Sequence, residues 1–220
     1  MTPTPRGLFV VLEGIDGAGT TTQAERLSAA LRAEERPVLT TREPSDGPLG
    51  TLVRQALGGR LVLPGGRGAL APQTLALLFA ADRTDHLAAQ VRPALEAGTV
   101  VICDRYVLSS LAYQGALLPP RWVEAINAFA EPPDLTLFLE VDPQVASRRR
   151  AARGGDAELF EEDRLQQRIA RRYLQVIRRR GRSDRVVRVP GDRSVEEVTE
   201  IALSAIRRRL PARKRPARLG

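Results

Sequence analysis

The residues best suited to chemistry lie between Gly14 and Thr22. The stretch Gly14-Ile15-Asp16-Gly17-Ala18-Gly19-Thr20-Thr21-Thr22 follows the apolar run Leu8-Phe9-Val10-Val11-Leu12 and precedes a helical pattern that opens at Gln23. Strand, glycine-rich turn and helix make the setting in which a loop binds phosphate. Gly14, Gly17 and Gly19 let the backbone curl, so that successive N–H groups point inward as an anion nest. The helix start at Thr20–Thr22 adds unpaired N–H groups and the positive end of a dipole. In the pattern G-x-x-x-x-G-K-[ST], Thr21 takes the hydroxyl position that reaches Mg²⁺, but the lysine position holds Thr20. An ordinary glycine-rich turn is the alternative, and the remainder of the chain has to decide. Lys214 is the only lysine, so no lysine elsewhere in the folded body can stand in.

A second group follows another apolar run, Thr99-Val-Val-Ile-Cys103, and consists of Asp104 and Arg105. Thr21 and Asp104 could serve Mg²⁺ as hard oxygen ligands, directly or through water. Arg105 has the planar fork that grips a phosphate. A local ion pair at a strand end is the simpler reading of Asp104–Arg105. Phosphoryl transfer needs positioning and charge neutralisation above all, and these residue types supply both.

These groups have to be positioned by the elements around them. Residues 8–12, 38–41, 99–103, 134–141 and 185–189 read as five strands. Helical patterns cover 20–34, 49–57, 73–85, a further stretch to Ala97, 107–114, 121–130, the segment carrying Arg148–Arg150, 159–180 and 195–210. Strands alternate with helices throughout, which predicts an α/β fold with a doubly wound, five-stranded parallel sheet flanked by helices. Right-handed crossovers place the C-terminal ends of the strands on one edge, so the loop at 13–21, the Arg42 loop and Asp104-Arg105 converge there.

At 220 residues the chain is long enough for one well-buried domain and short for two. We expect one domain over 1–210 and a basic, disordered tail over 211–220. Hydrophobic residues make up 43% of the chain, and no apolar run approaches a membrane span. The first residues lack the apolar core of a signal peptide, which leaves a cytoplasmic location and no membrane partner as the expectation. The lone Cys103 excludes an internal disulfide and a multi-cysteine zinc site, and its apolar surroundings predict a buried thiol. The formal charge of +8 admits nucleic acid as a partner. Many of the basic residues, however, fall in 148–185 and 207–218, so nucleic acid stays a minority reading.

Several motifs now agree. Glu13-Gly-Ile-Asp-Gly-Ala-Gly19, Thr41-Arg-Glu-Pro44, Leu78-Phe-Ala-Ala-Asp-Arg83 and Asp104-Arg-Tyr-Val-Leu-Ser-Ser-Leu-Ala-Tyr-Gln114 resemble thymidylate kinases. So do Pro133-Asp-Leu-Thr-Leu-Phe-Leu-Glu-Val-Asp142 and Arg172-Tyr173. The resemblance runs in family order from about residue 8 to 205. It implies a P-loop kinase fold, transfer of the γ-phosphoryl group of ATP to dTMP in the synthesis of dTTP, Mg²⁺ as cofactor, and a homodimer. The dimer surface it suggests lies on the helices after Ala71 and after Asp104.

By this resemblance, Gly14 to Thr22 bind ATP, and Arg42 and Arg105 face the dTMP phosphate. Asp16 lies near the sugar and phosphate, Phe79 stacks on the thymine, and Arg83 reads its edge. Ser109, Ser110 and Tyr113 match the acceptor stretch, Tyr113 disfavouring a 2′-hydroxyl. The simpler readings are a solvated Arg42, a core Phe79, a surface Arg83, and hydroxyls on a helix surface for Ser109 and Ser110. Arg148, Arg149, Arg150 and Arg153, before Gly154-Gly155, look like a mobile lid around 148–160. Glu161 matches a carboxylate after the lid, and Asp192 the loop that holds adenine. Arg149, Arg150 or Arg153 then supplies the charge missing at Thr20, which makes Arg150 and Arg153 candidate catalytic residues. The alternative is a silenced homologue that binds nucleotides without turnover. His86 matches no role and reads as a solvent-facing helix residue.

Overall fold

The computed structural model describes residues 6–61, 69–152 and 159–210, with side chains in the last segment from residue 163 onward. Five parallel strands, Phe9–Glu13 (β1), Val38–Arg42 (β2), Val100–Asp104 (β3), Leu135–Glu140 (β4) and Val186–Pro190 (β5), form one sheet in the order β2-β3-β1-β4-β5. The three inner strands are almost wholly apolar because helices cover both of their faces. The edge strands β2 and β5 keep polar residues such as Thr40 and Arg188. With β1 at the centre, the chain runs first to one side and then to the other. The crevice outside its C-terminal end is therefore the ligand edge.

The helices are Thr20–Ala33 (α1), Pro48–Leu57 (α2), Pro72–His86 (α3), Arg92–Glu96 (α4), Val107–Tyr113 (α5), Pro120–Ile126 (α6), Pro143–Ala151 (α7), Leu159–Arg180 (α8) and Val195–Arg207 (α9). Proline opens α2, α3, α6 and α7, where its missing N–H has no partner to lose. Asp142 caps α7, and a capping box of Ser194 and Glu197 starts α9. No side chain caps α1, so its first N–H groups stay available to an anion.

On one sheet face Val10, Leu12 and Ile102 pack with Leu27 and Leu31 of α1 and with Leu203 and Ile206 of α9. On the other, Phe9, Val11, Val101 and Cys103 meet Leu87, Val91, Leu95 and Tyr106. Each such buried aliphatic side chain contributes about 1.5–3 kcal/mol. Cys103 is buried as expected, and burial, with the Glu43 carboxylate next in size, pushes its thiol well up.

Three features differ from the sequence reading. The two helices expected between 73 and 97 are one rod, joined by a π-helical turn at Leu87–Val91 in which the Arg92 N–H reaches back to the Leu87 carbonyl. That wider turn comes just ahead of Pro93, whose ring would crowd a regular α-helix. His86, expected in solvent, is buried. The helix opened by Pro120 stops at Ile126 rather than near 130, where Asn127 turns its amide back onto the Val123 carbonyl.

Candidate active site

The glycine-rich loop is shaped by two left-handed residues, Gly17 at φ 90° and Gly19 at φ 92°. A Cβ on Gly17 would stand 2.4 Å from the Ala146 carbonyl oxygen, so α7 leans directly on the loop. Thr20 is 5% exposed, with its methyl group close beside Gly14. Beside it, Thr21 Oγ1 donates to Asp104 Oδ2 at 2.5 Å. The parallel register of β1 and β3 sets Asp104 level with Leu12, at the mouth of the loop. Asp104 Oδ1 is buried and has no hydrogen-bond partner among the described residues. A buried, unsatisfied carboxylate oxygen next to a hydroxyl is a donor set that fits a hard divalent cation.

Arg105 follows at φ 74°, a strained backbone for a residue with a side chain, of order 1–3 kcal/mol. That turn throws its guanidinium back across the loop. Nη1 donates to the Gly14 carbonyl and approaches the hydroxyls of Tyr113 (3.4 Å) and Tyr173 (3.3 Å), while Nη2 donates to Asp16 Oδ1 at 2.7 Å. Its Cζ sits 5.5 Å from the Tyr113 ring centroid. Burial works against the charge, but Tyr113, Tyr173, Asp16 and Asp104 outweigh it and hold Arg105 well above its ordinary value.

Asp16 is the hub of the loop. Its Oδ2 accepts from Gln166 Nε2 at 2.8 Å, its N–H donates to Gln166 Oε1 at 3.2 Å, and its carbonyl accepts from Arg150 Nη1 at 2.7 Å. Arg150 Nη2 also pairs with Asp163 at 2.5 Å. Arg149 reaches the Gly191 carbonyl at 2.9 Å. Of the lid candidates described, Arg150 is thus the one seated on the glycine-rich loop. Arg153, Gly154, Gly155 and the side chain of Glu161 lie outside the described residues, as does the tail from 211.

Next to Asp16 and Arg105 opens a cleft of about 630 Å³ lined by Phe79, Arg83, Ser109, Ser110, Tyr113 and Gln166, among others. Arg83 is no surface residue, being 2% exposed. It pairs with Glu43 at 2.7 Å, donates to Ser110 Oγ at 3.1 Å and to Asn127 Oδ1, and lies over the Tyr106 ring. Ser109 turns inward, donating to Glu13 Oε2 at 2.6 Å and meeting the Tyr173 hydroxyl at 2.8 Å. Glu13 also accepts from the Tyr106 and Ser109 N–H groups. Burial raises the Glu13 carboxyl, only partly countered by Ser109, Arg105 and Tyr173. Arg42 is not brought to the cleft: 55% exposed, it pairs with Asp46 at 2.7 Å. Asp192 lines a separate cavity of about 660 Å³ between α8 and the ends of β4 and β5.

This geometry has counterparts. A family model described as thymidylate kinase matches residues 12–201. The chain belongs to the thymidylate kinase family. A probable thymidylate kinase of Pyrococcus abyssi is 41% identical over 206 residues, 93% of this chain and 98% of the relative. A thymidylate kinase of Bifidobacterium longum is 49% identical over 148 residues, 65% of this chain and 71% of the relative. One of Ruegeria pomeroyi is 39% identical over 212 residues, 92% and 97% of the two chains.

Within this chain, the sequence reading missed Gln166, Asp163 and Asn127. Gln166 shares a helix face with Ile169 and Tyr173, and that spacing was the available signal. The helix after Asp104, α5, is also less free than expected. Leu111 and Ala112 are buried and α8 packs along it, whereas α2 and α3 keep Leu57 and Leu77 exposed.

Proposed function

We propose that the protein is an active dTMP kinase, transferring the γ-phosphoryl group of ATP to dTMP to give dTDP. The observation that carries this is the single cleft shared by Phe79, Arg83, Arg105, Asp16 and Tyr113, opening beside the phosphate loop. Arg105 grips the acceptor phosphate, while Asp16 orients Arg105 and faces the sugar. Phe79 stacks on the base, Arg83 and Ser110 meet its polar edge, and Tyr113 closes the space a 2′-hydroxyl would need. Ser109 acts from beneath, through Glu13 and Tyr173. Arg42 joins the acceptor phosphate by leaving Asp46, an exposed pair worth little by itself.

The N–H groups of Gly14–Thr22 hold the ATP phosphates. Thr21 and Asp104 would hold Mg²⁺, which neutralises charge on the transferred group. Thr20 brings no charge to the β- and γ-phosphates. Arg150 is the replacement, since its hydrogen bond to the Asp16 carbonyl keeps it over the loop; Arg153 is the second candidate. A silenced homologue, the alternative Thr20 raised, is not supported: the relatives that align along nearly the whole chain are named as thymidylate kinases, and Phe79, Arg83, Arg105 and Tyr113 line one cleft.

No helix among the described residues is long and apolar enough to cross a membrane. We place the protein in the cytoplasm with its nucleotide substrates, as a homodimer packed through α2 and α3, without nucleic acid as a partner. ATP consumption measured with each deoxynucleoside monophosphate tests the activity. dTMP is expected to turn over best; preference for dCMP or dGMP would refute the acceptor assignment. Light scattering that finds only the 24.1 kDa monomer at micromolar concentration would refute the dimer.

A further inference from the structure

His86 is the only histidine in the chain, and the phosphoryl transfer proposed above gives it nothing to do. Its side chain has no solvent exposure. It follows Arg83 by one turn of α3, so both residues face the loop after β2. Nε2 lies 2.7 Å from Thr41 Oγ1, and Nδ1 lies 3.3 Å from Glu43 Oε1. The other oxygen of the same carboxylate, Oε2, takes Arg83 Nε at 2.8 Å and Nη2 at 2.7 Å. A carboxylate that binds an arginine only accepts, so Nδ1 carries a proton toward Glu43, while Nε2 shares a hydrogen bond with the Thr41 hydroxyl. One imidazole thereby joins the end of β2, its loop and the arginine of α3.

A buried ion pair is sound only when its remaining lone pairs are also satisfied. His86 is the only donor to Glu43 Oε1 among the described residues. Without it that oxygen becomes a buried acceptor with no donor, and the carboxylate is free to turn. The plane of Arg83 is set by Glu43 along one edge, by Asn127 and Ser110 at its tips, and by the Tyr106 ring 5.1 Å from Cζ. We propose that His86 is a positioning residue for nucleobase selection: through Glu43 it fixes the guanidinium plane of Arg83 at the cleft. The inference rests on the acceptor-site reading of Arg83.

The test is steady-state kinetics of the full chain with dTMP and dCMP. His86→Leu removes both polar contacts. It should raise the KM for dTMP about tenfold and lower the preference for dTMP over dCMP by a similar factor. The kcat and the KM for ATP should stay within about twofold, because the donor side is untouched. His86→Asn, whose amide can still donate to Glu43, should recover most of the loss. Thr41→Val should shift the dTMP KM in the same direction by less, and it serves if His86→Leu does not fold. Unchanged dTMP KM and selectivity in His86→Leu and Thr41→Val would overturn the proposal. So would a joint fall in kcat and rise in both KM values with no recovery by His86→Asn. Wild-type turnover of dTMP, run alongside, separates the two claims. Its absence strikes the proposed function, whereas normal wild-type turnover with indifferent variants strikes only the role of His86.

Discussion

The proposed acceptor and donor sides of this site hold their positive charges differently. Arg83 and Arg105 are gripped by carboxylates, hydroxyls and aromatic faces that come from the sheet ends and from packed helices. On α7, Arg149 donates to the Gly191 carbonyl, and Arg150 divides its guanidinium between the Asp16 carbonyl and the Asp163 carboxylate of α8. A guanidinium fixed by side chains is pre-organised, and binding need not reshape it. One that spends a nitrogen on a backbone carbonyl, as Arg149 and Arg150 do, can exchange that contact for a phosphate oxygen when the substrate arrives. The difference frames the proposal that a phosphate loop without lysine draws its charge from a neighbouring helix instead of having it built in.

The sharpest way to break this comparison is at Arg105. Arg105→Ala should lower kcat/KM for dTMP about 10³-fold, since it removes the acceptor clamp together with the partner of Asp16. Arg105→Lys should rescue little, because an ammonium cannot span Asp16, the Gly14 carbonyl and a phosphate in one plane. Near-normal dTMP kinetics in either variant would place the acceptor phosphate elsewhere.

Smaller effects are expected for base choice. The kcat/KM for dTMP should exceed that for dCMP by about 10–100-fold, as the wrong base leaves polar groups near Arg83 unpaired. Comparing the four deoxynucleoside monophosphates measures this directly. Within the donor side, Gly17→Ala forces a side chain into left-handed backbone and against the Ala146 carbonyl. A loss of about 1–2 kcal/mol follows from the conformation alone, visible as a lower Tm with a raised KM for ATP. An unshifted Tm would mean that the loop does not hold residue 17 in this conformation against α7. The smallest effect should come from the tail: ending the chain after Leu210 should leave kcat unchanged within a small factor. A large loss would bring Lys214 into the site.

Most of the framework was legible from the chain itself. The buried strands are continuous apolar runs, and glycine spacing with strand-end charges marked the ligand edge. What escaped depended on long-range partners. Nothing local to His86 reveals that Thr41 and Glu43 await it across the fold. Gln166 is 150 residues from Asp16, and helical spacing alone cannot tell a buried polar residue from a surface one. Arg42 shows the converse: its motif is plain, yet in the structure its side chain turns to Asp46 four residues on. The π-helical turn was hidden because Pro93 signals a helix break, and the backbone absorbs it by widening one turn.

The central claim is that Arg150 does the work of the absent lysine. A double-mutant cycle on Thr20→Lys and Arg150→Ala, read as kcat for dTMP at saturating ATP, tests it most directly. Arg150→Ala alone should lower kcat about 10²–10³-fold with little change in the KM for dTMP. Thr20→Lys alone should remain active, and the double variant should recover much of the lost rate, a strongly non-additive cycle. Wild-type kcat in Arg150→Ala, or a double variant no faster than Arg150→Ala, would contradict the account.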